Sequence, residues 1–585
     1  MISPELALRM IRESPVIVLD TETSGLTVKD HICGWVVTDK DNSVYVPVRH
    51  KGGGNIPDVE GFEAALAQGF LDRTRCGLRT VGHHLGFDLR AALRHGIRIL
   101  GPLEDTMVNE ALINDLTIGY SLEETAKRYN VQAKKGADLY AEMARRFGGM
   151  PDAKQMRHFH EMEGDHPLVV EYSTGDGTST LQVWHAQQGM LDSDGLRRVW
   201  QLECDLLPYL ARMHHRGLKV NAEYAANIGT HIEREIAEAS KVFAKGFNVR
   251  SPNDVEGLYR RNGFCDADFA RTDSGKVSFT EKWLEDNEIG QQILGVRKLQ
   301  KARDSFIAPL IDTQNINGRV HPVLNQSKSD TFGVAGARLS CTEPNMQAFP
   351  KRDKTVGKVV RKLIVPDDGY WLEEADFRQQ EPRLFTHYSG QPELLEGYRN
   401  GTMDMHDRAS AILGIPRDTA KRLSMGMLTM MSVPTLAVHM GWPLEDARAA
   451  HRAFLSDAFP MIGEFQQLAI SRFREKGYVK SIMGRRAYMD EYRFGYRAVS
   501  RVIQNSGGDH CKLALLRACQ YEDAYPEVQI LLSIHDSIMW QRQPWFDHGG
   551  LVAVIEHTAE ELELKVPIPV DVGTGLDWAE VSYGK

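Results

Sequence analysis

The 585-residue sequence has few cysteines and no pattern among them. Seven are present (Cys33, Cys76, Cys204, Cys265, Cys341, Cys511 and Cys519), scattered and without a CxxC pair. An odd, dispersed set predicts free thiols in a reducing, cytoplasmic setting and argues against a zinc site. No apolar run approaches the roughly 20 residues that span a bilayer. The opening stretch holds Glu5 and Arg9 and no small-residue cleavage pattern, so no secretory leader is expected. Positive charge is also in short supply: 70 Lys and Arg stand against 79 Asp and Glu, a net charge of −9. That excludes a uniformly basic surface and leaves any contact with a polyanion to local runs, at residues 297–303, 351–362 and 485–501. Taken alone, most such runs are solvated helix faces, so these support a polyanion contact without establishing it. Internal repeats and low-complexity tracts are absent. What is present, 42% apolar and 25% charged residues, belongs to an ordinary globular protein. The length asks for about two to four domains.

The chain opens as an α/β unit. Val16, Ile17, Val18 and Leu19 form a short buried-strand run that ends in Asp20. Further strands are expected near residues 32–37 and 43–48, before a Gly-rich turn at 51–55. Residues 202–244 are charged and helical in period, 272–276 break the helices, and 293–307 resume one. From Tyr370 onward strands and helices mix, with a strand hairpin over 528–539 and a strand-like end at 566–572. The natural cut lies near residue 195, between the α/β unit and all that follows.

Two constellations of acids carry candidate chemistry. In the first, Asp20 and Glu22 stand at the exposed end of the buried strand, and alternation points both carboxylates one way. Two like charges side by side make sense with cations between them. Asp88 follows in Gly82-His83-His84-Leu85-Gly86-Phe87-Asp88, and Asp176 in Tyr172-Ser173-Thr174-Gly175-Asp176. Singly, each acid reads more readily as a cap or a surface residue. In the second, Asp376 sits in Glu373-Glu374-Ala375-Asp376-Phe377-Arg378-Gln379-Gln380-Glu381, and Asp536 in Ile534-His535-Asp536-Ser537-Ile538. Adjacent strand residues face opposite ways, so His535, Asp536 and Ser537 do not form a nucleophilic triad. A lone Asp in a buried strand needs a partner, and Asp376 is the candidate. Between the two acids, Pro416 fits a first helical position, and Arg417, Lys421 and Met425 recur every fourth residue on one face. Two cations near a helix N-terminus suit a triphosphate. A basic amphipathic helix with a core Met is the other reading of the same spacing.

The first constellation resembles the three exonuclease motifs of the DnaQ-like fold, in order. The resemblance implies that Asp20, Glu22, Asp88 and Asp176 hold two divalent ions, that Tyr172 orients the attacking water, and that Leu26 wedges against the terminal base. His84 stands where that family usually has Asn. The second constellation resembles motifs A, B and C of the family A DNA polymerases. Residues 338–347, with Arg338, Asn345 and Gln347, look like the family's RLSSxxPNLQ segment; Asp404-Met405-His406 looks like its DxH; residues 477–486, with Arg485, look like GYVxTxxGRRR; and 575–578 look like GxNW. Residues 202–220 look like the helix entering the thumb.

The likeness covers nearly the whole chain and implies a mixed α/β protein. An RNase H-like 3′-5′ exonuclease domain (residues 1–195) would precede a right-hand polymerase domain (196–585). Its thumb would lie at about 200–330, palm at about 331–400 and 500–585, and fingers at about 401–499. The 5′-nuclease domain of many bacterial members is not expected. By the same resemblance Asp376, Asp536 and the carbonyl of Phe377 bind metal. Arg417, Lys421 and His406, with Gln379 and Met425, contact the incoming nucleotide. Glu381 crowds the sugar C2′. Arg338, Asn345, Gln347, Arg485 and Gln504 contact DNA. The implied cofactor is Mg²⁺, two ions per site, with Mn²⁺ as a substitute. The implied partners are primer–template DNA and dNTPs, bound by a monomer that accessory replication proteins can join. Several residues depart from the family pattern. Ser537 replaces the Glu that follows the catalytic Asp, Met425 a Phe or Tyr, Thr429 a second Tyr, and Ser500 an Asn, while Pro382 sits inside motif A. Tyr at the position of Met425 is associated in the family with acceptance of dideoxynucleotides, and Phe with their rejection. A bacteriophage replicase would suit this set. A decayed polymerase that serves only its exonuclease, or a single-subunit RNA polymerase, are the rival readings.

Overall fold

In a computed structural model, described over residues 1–117, 119–132, 136–272, 275–327, 337–351, 354–489 and 495–584, the run that ends at Asp20 is the central strand of a five-stranded sheet. Val16–Thr23 pairs antiparallel with Ile32–Thr38, which pairs antiparallel with Ser43–Pro47. On its other side it pairs parallel with Arg79–Gly82, and that strand with Leu103–Asp105. Ile17, Val18 and Leu19 are fully buried, as in a strand covered on both faces. The covering helices start where capping chemistry allows. Pro4–Glu13 has Ser3 as its N-cap and Pro4 in its first turn, and Val59–Arg75 is capped by Asp58. The long helix Pro167–Ser193 lies across the sheet and carries Tyr172 and Asp176 to the end of the first strand.

Helix Pro167–Ser193 ends just before the expected cut, and the next helix, Arg197–Arg216, enters two cores. Its Leu207 and Ala211 pack with the N-terminal unit, while Leu202, Leu206, Leu210 and Met213 pack with the larger body. The single helical stretch expected over 202–244 is broken. Gly217 adopts φ 65, and a Cβ there would lie 2.7 Å from the Val320 carbonyl oxygen. A short strand, Leu218–Val220, follows, and then Ala222–Ser240, capped by Asn221. The helix expected at 293–307 is Glu288–Lys301, continued by π-helical turns over Ala302–Ile307. Asp273 and Ser274, in the expected helix break, lie outside the described residues.

The C-terminal half is organised by a four-stranded antiparallel sheet in the order Val528–Ile534, Ser537–Arg542, Trp371–Phe377, Val570–Gly575. The first two strands are the expected hairpin. The strand-like end expected at 566–572 is found slightly later, and helix Trp578–Tyr583 follows it. Alternation puts Leu372, Glu374 and Asp376 on one face of the sheet, and Glu373, Ala375 and Phe377 on the other. Helix Arg497–Ala524 covers the second face, where His510 meets the Phe377 ring at 4.6 Å. Gly508 on that helix lets the segment carrying Arg338 lie against it, because a Cβ would stand 2.6 Å from Ala337 Cβ. Five helices, Met405–Leu413, Arg417–Leu428, Val433–Met440, Leu444–Arg452 and Pro460–Lys476, pack around a core of their own that includes Leu423, Leu436, Phe454 and Phe465. Pro416 is the N-cap residue of the second of these, one place earlier than expected. No helix among the described residues is long and apolar enough to cross a membrane.

One expectation is corrected here. Arg485 is not a surface residue ready for DNA: its side chain is 8% exposed and inserted between two acids. It pairs with Glu203 of helix Arg197–Arg216 and donates from Nε to Asp509 Oδ1 at 2.8 Å. Lys512 Nζ donates to Glu203 at 2.6 Å, and Ser481 Oγ to Asp509 Oδ2 at 2.5 Å. Two buried cations and two buried anions therefore cancel, which is the condition under which such charges are tolerated inside a protein.

Candidate active sites

At the end of the first strand, carboxylate oxygens of Asp20, Glu22 and Asp176 all lie within 4.8 Å of one another. Alternation brings the first two to one side, and helix Pro167–Ser193 delivers the third. Ser173, unnoticed in the sequence, donates from Oγ to Glu22 Oε1 at 3.0 Å. Its spacing three residues before Asp176, one helix turn, was the available signal. Asp88 does not join the group: its Oδ1 accepts from the Thr21 N–H at 2.8 Å and from Thr21 Oγ1 at 2.6 Å. Burial, and then the Asp20 carboxylate, hold Asp88 well above the usual carboxylate range. Tyr172 is buried beside the cluster; burial, then Asp176 and Glu22, raise its phenol, so it stays neutral and able to donate. His84 has φ 62, and its N–H donates to Asp105 Oδ1 at 2.9 Å. Leu26 stands 81% exposed a few residues beyond the acids. An all-oxygen donor set of this kind suits a hard divalent cation such as Mg²⁺ or Mn²⁺.

The second acidic pair lies in a cleft of about 1380 Å³. Asp376 is the last residue but one of its strand, and Asp536 sits on the tight turn between the two hairpin strands. The Phe377 N–H donates to the Asp536 carbonyl at 3.1 Å, which fixes the two segments together. Burial, and then Asp376, push the Asp536 carboxyl up. Two acids that line one cleft and act on each other suit a cation, and a cationic group is already at hand. Lys351 Nζ lies 2.7 Å from Asp376 Oδ2, a contact hidden in the sequence within an undistinguished basic run.

The facing wall comes from the helix Arg417–Leu428 and its neighbour. Arg417 pairs with Asp404 at 2.5 Å and Asp407 at 2.6 Å. Lys421 and Met425 share its face and line the same cleft. His406 is buried, with Nδ1 3.0 Å from Ser424 Oγ, and burial lowers its pKa. Glu381 accepts from Arg338 Nη2 at 3.0 Å; burial raises its pKa although the guanidinium opposes this. Gln379 has φ 49, and its Oε1 accepts from the Tyr398 hydroxyl at 2.9 Å. Three expected DNA contacts lie outside the cleft lining. Asn345 Oδ1 accepts from the Gln347 N–H at 3.1 Å. Gln347 Nε2 donates to the Leu339 and Ser533 carbonyls at 3.2 and 3.3 Å. Gln504 is exposed on helix Arg497–Ala524.

Residues 218–580, which hold this cleft, match the family described as DNA polymerase family A. This chain belongs to DNA polymerase family A. The polymerase is 29% identical to "DNA polymerase DpoZ" of Acinetobacter phage SH-Ab 15497 and 27% identical to the protein of that name from Vibrio phage phiVC8. The first alignment covers 97% of each chain; the second covers 96% of the polymerase and 95% of the relative. It is 25% identical to DNA polymerase I of Chloroflexus aurantiacus over 98% of its own length and 62% of that protein's. Among solved structures, the POL domain of Pol1 from M. smegmatis, in complex with DNA primer-template and dNTP, shares its fold. The TM-score is 0.80 at 21% identity, over 99% of both chains.

Proposed function

We propose that this polymerase extends a primer 3′ end along a DNA template in the cleft that joins Asp376 to Asp536, and removes 3′-terminal nucleotides at the separate cluster of Asp20, Glu22 and Asp176. The observation that carries the reading is the meeting of both palm acids with Arg417, Lys421, His406 and Met425 around one cavity. The M. smegmatis relative, solved with primer-template DNA and a dNTP, supports the same partners here. The domain division at about residue 195, and the thumb, palm and fingers ranges given above, belong to the same proposal.

The primer 3′ oxygen attacks the α-phosphorus in line, the bond to the bridging oxygen breaks, and pyrophosphate leaves. Two divalent cations, when bound, would neutralise the charge that develops on the attacking and leaving oxygens. Asp376, Asp536 and the Phe377 carbonyl would hold them. Lys421 and Arg417, at the start of their helix, hold the triphosphate, with Arg417 released from Asp404 and Asp407 as it does so. His406 stays neutral and acts as a hydrogen-bonding wall. At the other site Asp20, Glu22 and Asp176 would hold a cation pair, with Asp88 acting from behind Thr21 and Tyr172 donating to the attacking water. Frayed ends reach this site most readily, because unpaired bases need least energy to extrude. Primer extension by the purified chain, with dNTPs and Mg²⁺ present or omitted and digestion of a labelled single strand followed in parallel, tests both halves. A well-folded chain that neither extends nor digests would overturn the proposal.

Two substitutions probe nucleotide selection. Glu381→Ala is expected to raise ribonucleotide incorporation, since the gate is steric and opposes a single hydroxyl, worth about 1–3 kcal/mol or roughly ten- to two-hundredfold. Kinetics of rNTP against dNTP insertion check it, and unchanged discrimination would move the gate to another residue. Met425, with only a weakly accepting thioether, is expected to leave dideoxynucleotides rejected. Met425→Tyr should relax that rejection about tenfold, the worth of roughly one hydrogen bond. Single-nucleotide insertion of ddNTP against dNTP in an Asp20→Ala background reads this out. An unchanged ratio would leave Met425 as packing for the five-helix core.

A further inference from the structure

Glu374 lies two residues before Asp376 and on the same face of its strand. It is 3% exposed. Its Oε1 accepts from Ser537 Oγ at 2.7 Å, and its Oε2 from Trp578 Nε1 at 2.9 Å. Both donors are neutral, and among the described residues no Lys, Arg or His forms an ion pair with Glu374. The neighbouring Glu373, on the opposite face, is different. It pairs with Arg542 at 2.9 Å and also accepts from Trp540, Thr574 and His548, which closes its charge within the fold. The Glu374 carboxylate is satisfied in hydrogen bonds but touches no cation; buried Arg361, stacked 3.9 Å over the Trp578 ring, and Lys351 act on it only from a distance. Of these two cations, Lys351 is bound to Asp376.

The hydroxyl that holds Glu374 belongs to Ser537, the residue directly after Asp536 and opposite Asp376 in the strand register. Ser537 is also where an acidic residue is missing from the sequence pattern. Here the position after Asp536 carries the hydroxyl, and the adjacent strand carries the carboxylate bonded to it. A carboxylate removed from water with no cation in contact is only partly offset by charges farther away. A divalent cation held by Asp376 and Asp536 would offset it, and the carboxylate would in turn strengthen the cation's binding.

Building on the reading of Asp376 and Asp536 as cation ligands, we propose that Glu374 is a positioning residue of the polymerase site. Its buried carboxylate, fixed by Ser537 and Trp578, supplies the third negative charge that sets cation affinity there. The bland alternative is that Glu374 only anchors Trp578 and the C-terminal helix.

Mn²⁺ titration followed by the electron paramagnetic resonance of free Mn²⁺ separates the two. The Asp20→Ala background removes the N-terminal cluster from the measurement. Asp376→Asn tests the parent reading: unchanged Mn²⁺ binding in that variant would mean that the cation site itself is misassigned. With binding lost in Asp376→Asn, Glu374→Gln is expected to raise the Mn²⁺ dissociation constant fivefold or more. It should raise the Mg²⁺ concentration for half-maximal extension by a similar factor, with kcat at saturating Mg²⁺ within about twofold. The exchange Glu374→Ser with Ser537→Glu is expected to restore the dissociation constant to within about twofold. An unchanged constant in Glu374→Gln, with only a lower Tm, would overturn the proposal in favour of the anchor. Should Glu374→Gln not fold, the exchange variant decides alone: restored affinity supports the proposal, and a fivefold loss overturns it. Failure of both to fold overturns it as well, since the carboxylate would then be needed for the fold.

Discussion

Asp376→Asn and Asp536→Asn are each expected to lower primer extension by about three orders of magnitude while digestion of a frayed 3′ end continues. Loss of one ligand from a two-cation site removes several kcal/mol of stabilisation from the charge developing in phosphoryl transfer. About 4 kcal/mol of barrier is a factor of roughly a thousand. The amide is nearly the size of the carboxylate, so the strand register and the Phe377-to-Asp536 hydrogen bond should survive. Removing the negative charge from Asp376 also leaves Lys351 without its partner at 2.7 Å, so cation binding suffers twice. Extension and digestion measured on the same preparation check the claim. Near wild-type extension by either variant would mean that the palm acids are misassigned.

Asp20→Ala should show the converse, with digestion reduced by a comparable factor and extension intact. The variant removes one of three carboxylates that lie within 4.8 Å of each other, and the remaining two cannot hold a cation pair in place. Folding should be little affected, because the strand is anchored by Ile17, Val18 and Leu19, all fully buried. Degradation of a labelled single strand is the direct readout, with primer extension as the control. Joint loss of both activities in a folded protein would argue for one shared centre.

Much of this was legible from local pattern. The buried run before Asp20, the alternation that aims Asp20 and Glu22 together, and the hairpin around Asp536 all follow from near-neighbour spacing. So does the common face of Arg417, Lys421 and Met425. What escaped was set by partners distant in the chain. Arg485 reads as one member of a basic run until Glu203 and Asp509 are brought to it from two helices. Lys351 carries no mark of its attachment to Asp376. Asp88 follows the order of the exonuclease motifs, yet its bonds to Thr21 hold it outside the acidic group. The break at Gly217 was written in the sequence but was outweighed there by the helical period on both sides.

Helix Arg197–Arg216 is shared by two hydrophobic cores and riveted to helix Arg497–Ala524 through Glu203, Arg485, Asp509 and Lys512. A cluster of four cancelling charges buried in this way tolerates little sliding, since each displaced partner leaves an uncompensated ion worth about 3–5 kcal/mol. The N-terminal unit and the larger body are therefore both packed on one helix that is pinned in place. Under the two-site function, the DNA end is the part that must travel. The choice between adding and removing a nucleotide then becomes a race between insertion and strand melting, and its clock is kept by the last base pairs of the primer.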